Sequence, residues 1–255
     1  MTEHFRHIVR GQGSGLLLAH GGGGSVEANY GPILDDLART HTVVGPDYPG
    51  SGATPRAAAP LELDAMADSL VATAVSAGVD RFTILGYSLG TAVAVRAATR
   101  HPHRVTGLVL TAGFAHPSNQ MRLGIGVWRS LLDSPDRELL ARFVTFAATG
   151  RTHLNSLSPA ELDAALAGLE VPPGTPDHVD LVGAVDTRAE LARIAAPTLV
   201  IGTREDVLVP LDMQRELAAG IPGAEWVEID SGHLMQIEAR DAWLAQIRKF
   251  LDTQG

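Results

Sequence analysis

Cysteine is absent from the 255 residues, which excludes disulfides, thiolate catalysis and cysteine-held zinc. Lysine occurs once, as Lys249, so the chain has no Gly-Lys-Ser/Thr phosphate loop and no internal lysine for a Schiff base. Positive charge is also in deficit. The formal net charge of -9 argues against a nucleic-acid footprint and against binding to an anionic membrane. No apolar run approaches the length that spans a bilayer, and Met1 to Gly15 is charged and histidine-rich without the apolar core of a signal peptide. The cytoplasm is therefore the expected location. No His-Glu-x-x-His occurs and no tight His/Asp cluster stands out, so no metal and no other cofactor is expected. What remains is ordinary for a soluble globular chain, 45% apolar and 19% charged, with room for one large core and a modest insertion.

Strand-like apolar runs alternate with amphipathic stretches. Leu16 to Ala19, Thr42 to Val44, Phe82 to Leu85, Val105 to Leu110, Thr198 to Ile201 and Trp226 to Ile229 read as strands. His4 to Arg10 reads as a short first strand, with Gly11 to Gly15 as its turn. Helical spacing marks Tyr30 to Arg39, Leu61 to Ala77, and Ala239 to Leu251 with Trp243, Ile247 and Phe250 inward. Continuous apolar strands between such helices predict an α/β fold, a mostly parallel sheet covered on both faces.

About eighty-five residues separate Thr111 from Pro197, too many for one crossover. Within them Met121 to Leu132 is apolar nearly all round, and Leu139, Phe143 and Phe146 form a stripe. Ser158-Pro159-Ala160-Glu161 and Thr187-Arg188-Ala189-Glu190 look like capping boxes, while Gly150 to Asn155 and Val171 to Pro176 look like breaks. The expected organisation is a core of residues 1–113 and 187–255, with 114–186 as a helical cap over the carboxyl edge of the sheet. Tyr87, His116, Trp128 and Phe143 are the candidate lining of a substrate pocket beneath it.

The chemistry centres on Gly86-Tyr87-Ser88-Leu89-Gly90, which joins the strand Phe82 to Leu85 directly to an Ala/Val-rich helical run. A serine on so tight a turn is held in a strained backbone conformation. Gly86 and Gly90 leave room where a Cβ would clash as strand and helix approach. Ser88 then projects its hydroxyl at a helix N-terminus, where N–H groups favour developing negative charge.

Serine needs a base, and the base needs a group to orient it. Of ten histidines, His233 is distinctive because Ser231-Gly232-His233 directly follows the last strand, Trp226 to Ile229; His101, His103, His116, His153 and His178 lack that placement. Asp206 follows the preceding strand in the same way and is the candidate acid, with Glu205 its nearest rival and Asp212 a remote one. The Leu89 N–H and an N–H from His20-Gly21-Gly22-Gly23-Gly24 would receive an oxyanion; Gly22 is favoured, with Gly21 and Gly23 open. Dinucleotide binding by that glycine loop fails on spacing, since Val26 or Glu27 stands where the third glycine belongs.

Together these segments, with Asp47 to Gly52 and Pro197 to Gly202, resemble the α/β-hydrolase superfamily in its serine-nucleophile, helically capped branch. The resemblance covers nearly the whole chain, and the polyglycine loop is similar to that of carbon–carbon bond hydrolases, esterases and thioesterases. It implies hydrolysis of a carboxylic ester or thioester of an apolar small molecule through an acyl-enzyme. Acyl transfer, C–C hydrolysis, or a lyase or cyclase step on the same scaffold stays open, as does ligand binding without turnover. The resemblance also implies a leading antiparallel hairpin, which only about fifteen residues before the His20 strand leave shortened.

Overall fold

The computed structural model describes residues 4–254. Strands β1 (His7–Arg10), β2 (Ser14–Ala19), β3 (His41–Pro46), β4 (Phe82–Tyr87), β5 (Val105–Thr111), β6 (Thr198–Thr203) and β7 (Glu225–Ile229) form one sheet in the order β1-β3-β2-β4-β5-β6-β7. Every neighbouring pair is parallel except β1 with β3. The first two strands therefore do not form a hairpin. Both edges of β2 are taken, by β3 and β4, so β1 adds to the free edge of β3.

Helices α1 (Val26–Ala38), α2 (Leu63–Ser76) and α3 (Leu89–Arg100) connect the first strands; α4 (Asn119–Leu132), α5 (Arg137–Ala148), α6 (Arg151–Ser156), α7 (Pro159–Ala167), α8 (Thr175–Ala184) and α9 (Arg188–Leu191) lie between β5 and β6. Then follow α10 (Leu211–Gly220), α11 (Met235–Glu238) and α12 (Arg240–Asp252). Strand alternation divides the core in two. Leu17, Ala19 and Ile84 pack with α2 and α3 on one face, and Leu16, Leu18 and Leu85 with α1 and α12 on the other. Each large side chain so buried stabilises the fold by about 1.5–3 kcal/mol. On the second face Trp243 stacks on Tyr30, ring centroids 5.7 Å apart, and its indole N–H donates to Thr111 Oγ1 at 3.0 Å.

Register positions the loops that matter. Ala19 lies opposite Gly86, so the chain leaving β2 emerges beside the chain leaving β4. Thr203 lies opposite Ile229, and past the strand ends the Glu205 N–H still donates to the Ser231 carbonyl at 2.9 Å. All four exits lie at the carboxyl ends of parallel strands.

Between β5 and β6 the structure departs from several expectations. The Ser158 capping box forms, but Thr187 turns its hydroxyl to the Ala115 carbonyl and caps nothing. Gly150 to Asn155 is no break: α6 forms there, its Thr152 N–H held by the Glu205 carboxylate. The stripe on α5 does not turn inward. Phe146 is 67% exposed and Leu139 49%, while Leu140, Ala141, Ala147 and Ala148 are buried. On α4 only Met121 and Leu132 are buried, and Leu123 is 75% exposed. Among the described residues no helix is long and apolar enough to cross a membrane.

Candidate active site

Ser88 stands between β4 and α3 with φ 54° and ψ -121°, a conformation that costs a non-glycine residue about 1–3 kcal/mol. Its surroundings fix it there. The Ser88 N–H donates to the Thr111 carbonyl at 3.0 Å, and its own carbonyl accepts from the Thr91 N–H at 2.9 Å and the Thr91 hydroxyl at 2.7 Å. A Cβ on Gly86 would come within 2.8 Å of the Gly90 carbonyl oxygen, and one on Gly90 would collide with the Ala19 carbonyl. Strand and helix can meet at Ser88 only because both positions are glycine.

His233 reaches Ser88 from the loop after β7. Its Nε2 lies 3.0 Å from Ser88 Oγ and its Nδ1 2.7 Å from Asp206 Oδ2. A carboxylate only accepts, so the neutral ring carries its proton on Nδ1 and offers a bare Nε2 to the serine hydroxyl. The Asp206 side chain is fully buried and has every bond it needs: Oδ2 also accepts from the Thr203 hydroxyl at 2.9 Å, and Oδ1 from the Val209 N–H at 2.9 Å. Gln214 in turn clasps Thr203, accepting its N–H at 3.0 Å and donating to its hydroxyl at 2.8 Å. Of the rival acids, Glu205 is spent on Thr152, and Asp212 is an exposed residue in the first turn of α10.

The glycine loop after β2 has its amides nearly all committed. The Gly21 N–H donates to Asn29 Oδ1 at 2.8 Å, the Gly23 N–H to His178 Nδ1 at 3.1 Å, and the Gly24 N–H to the Gly21 carbonyl at 3.3 Å. The N–H groups of Gly22 and Leu89 have no protein partner among the described residues. Two buried histidines brace this loop in opposite tautomers. His20 accepts the Tyr48 N–H on Nε2 at 2.9 Å, so its Nδ1–H donates to the Gly21 carbonyl at 2.8 Å. His178 accepts on Nδ1, so its Nε2–H donates to the Pro49 carbonyl at 3.0 Å. Burial holds His20 down to about 3, helped by His178, and pushes His178 below the ordinary imidazole range. Both rings are neutral in the folded chain.

The four expected pocket residues separate. Trp128 stands against the glycine loop, its ring 3.3 Å from where a Gly23 Cβ would lie. Tyr87 does not line a pocket: it is 2% exposed, and its hydroxyl donates to the His233 carbonyl. Strand alternation turns that ring under the site, into the core with Trp243. His116 is paired with Glu216 of α10 at 3.1 Å. Phe143 is half-buried on α5, outside the three apolar clusters.

Sequence reasoning missed the residues that hold others: Thr203, Gln214, Asn29, His178 and Glu238. The Glu238 carboxylate accepts from the Gly232 N–H at 2.7 Å and the Gly150 N–H at 3.1 Å, and the His233 N–H donates to the Ala148 carbonyl at 2.8 Å. Only Asn29 carried a local signal, eight positions from Gly21 in the helix that follows the loop. Among the described residues no three His, Asp or Glu side chains gather as a metal ion would require.

A serine, an imidazole and a buried carboxylate in one hydrogen-bonded line, beside two free amides, is an arrangement able to deprotonate an alcohol and receive an oxyanion. The family profile described as alpha/beta hydrolase fold matches residues 16–240. A pyrrolizixenacetamide deacetylase of Xenorhabdus hominickii is 32% identical over 249 residues, 96% of this chain and 93% of its own. A 2-hydroxymuconate semialdehyde hydrolase of Pseudomonas sp. strain CF600 is 29% identical over 258 residues, 94% of this chain and 88% of its own. The enol-lactonase of Burkholderia xenovorans LB400 shares the fold, with a TM-score of 0.86 at 21% identity over 97% of this chain and 96% of its own. On profile, relatives and architecture alike, the chain belongs to the α/β-hydrolase fold family and is a hydrolase.

Proposed function

We propose that this protein is a cytoplasmic serine hydrolase that cleaves a carboxylic ester or thioester of an apolar small molecule through an acyl-enzyme. One observation carries the proposal: Asp206, His233 and Ser88 stand in a line at 2.7 and 3.0 Å, ending on a serine held at positive φ. His233 Nε2 takes the Ser88 proton as Oγ attacks the carbonyl, and Asp206 keeps Nδ1 protonated and stabilises the imidazolium. The N–H groups of Gly22 and Leu89 receive the oxyanion, a contribution of about 10²–10³ in turnover for each such donor. His233 then protonates the leaving alcohol or thiol, and water enters by the reverse sequence to release the acid. Residues 114–186 form the cap, with Trp128 on the pocket wall.

A second reading, amide deacylation, is favoured by the relative named as a deacetylase, 32% identical over nearly the whole chain. It uses the same line of residues and asks His233 to protonate an amine instead.

A fluorophosphonate probe, with peptide mapping, tests the nucleophile. Labelling at Ser88 and its loss in Ser88→Ala are expected, together with hydrolysis of p-nitrophenyl acetate and uptake of one labelled oxygen from water into the product acid. A folded protein that neither labels nor turns over aryl esters sinks the proposal. Release of p-nitrophenol without label from water in the acyl product redirects it to acyl transfer onto another nucleophile, and faster cleavage of acetanilides than of aryl acetates selects the amide reading.

A further inference from the structure

The Gly22 N–H lies in the peptide plane between Gly21 and Gly22, and the plane that follows it limits how far that one can turn. The plane between Gly21 and Gly22 is held through the Gly21 carbonyl, which accepts from His20 Nδ1–H and the Gly24 N–H. Because a trans peptide points its N–H opposite to its carbonyl, this leaves the Gly22 N–H facing away from His20. The plane between Gly22 and Gly23 has a different anchor. Its N–H, on Gly23, donates to His178 Nδ1, from a residue 155 positions away in α8.

His178 is well placed to be an anchor because it is itself fixed. Its other nitrogen donates to the Pro49 carbonyl at 3.0 Å, and its ring is fully buried edge-on to Tyr48. The start of α8 is tied to the same loop: the Gly174 N–H donates to the Gly50 carbonyl at 3.0 Å, and Arg56 pairs with Asp177 through two bonds of 2.6 and 2.9 Å. The His178 Cβ lies 3.5 Å from where a Gly22 Cβ would be, so the helix also closes the space into which Gly22 would relax.

We propose that His178 is a positioning residue for the oxyanion site, locking the Gly22–Gly23 peptide by accepting its N–H while its Nε2–H grips the Pro49 carbonyl. The proposal rests on the assignment of Gly22 as an oxyanion donor. It adds that a side chain from the segment between β5 and β6 holds the peptide next to the donor, without which the donor's own plane could turn.

The two bonds can be separated by substitution. His178→Asn puts an amide oxygen where Nδ1 stands and keeps an acceptor for Gly23, whereas His178→Gln reaches the Nε2 position and keeps only a donor for Pro49. With p-nitrophenyl acetate, His178→Asn is expected to keep kcat within about threefold of wild type, and His178→Gln to lose about 10–100-fold at a KM changed less than about twofold. Amide exchange at Gly23 is expected to quicken in the Gln variant and not in the Asn variant. Equal kcat and equal Gly23 protection in the two variants overturns the proposal. Nitrogen-15 spectra of the wild-type ring read it without any variant: a bare Nδ1 and protonated Nε2 at neutral pH support it, and the reverse tautomer or a charged ring overturns it. If wild type itself neither hydrolyses the ester nor labels at Ser88, the hydrolase reading fails. The Gly23 exchange and the ring tautomer still decide the role of His178.

Discussion

The phenol of Tyr87 donates its proton to the main-chain carbonyl of His233, so the residue just before the serine holds the backbone of the histidine. Burial, with Asp206 and Glu238 nearby, pushes that phenol well above its usual range, and it remains a donor at any working pH. Tyr87→Phe leaves the His233 carbonyl without this donor, at a cost of about 1–3 kcal/mol in unfolding free energy. Because the imidazole loses a support and not its partners, kcat should fall about tenfold. Urea unfolding and aryl-acetate kinetics on one preparation check both; an unchanged variant contradicts the assignment.

Asp206→Asn should leave the fold intact and lower kcat about 10⁴-fold. An amide that keeps its oxygen on the Val209 N–H turns its NH₂ toward His233 Nδ1, which drives the ring proton to Nε2 and blocks acceptance from Ser88. The rate of fluorophosphonate labelling measures this without a natural substrate. A loss smaller than tenfold would remove Asp206 from the relay.

Two glycine substitutions should part company. At Gly22 an added methyl meets His178, Leu89 and Val182 side chains at 3.5–3.6 Å, ordinary contact, so Gly22→Ala should fold with stability within about 0.5 kcal/mol of wild type. At Gly90 it meets the rigid backbone of Ala19 and His20, and Gly90→Ala should fail to accumulate as folded protein. Soluble yield and thermal midpoints read the contrast, and a normally folded Gly90→Ala would show the strand–helix contact to be looser than described.

Mild acid should weaken the fold through the buried histidines. An unfolded chain binds a proton at His20 near the ordinary 6.5, whereas burial holds the folded ring at about 3. Stability is therefore full above the ordinary value and falls as pH drops below it, by at most about 1.4 kcal/mol per pH unit for this group. His178, shifted the same way, adds to the slope. Urea midpoints at about pH 7.5 and about pH 5.5 should differ in that sense, and equal midpoints would mean that the rings are not buried neutral.

Much of this was legible because strand ends are legible. Ser88, Asp206 and His233 each follow an apolar run closely, and a parallel sheet brings such points to one edge. The glycines of the loop after β2 were visible too, with Gly22 favoured among them, but what commits the neighbouring amides was not, since that depends on partners as distant as Asn29 and His178. Helical spacing marked α4 and α5 while misjudging their inner faces: periodicity locates an apolar stripe, not the neighbour that covers it, and Leu123 and Phe146 face outward. Tyr87 was misread for a related reason. A residue beside a nucleophile can point up or down, and strand alternation sends this one down.

The segment between β5 and β6 grips the site from two sides, at Gly23 through α8 and at His233 through the Ala148 carbonyl. Exchanging that segment for one from another hydrolase is thus not a neutral graft. A chimera built this way would need an incoming helix with its own acceptor for Gly23 and a carbonyl for His233, or it would inherit a new chamber with slack machinery beneath it.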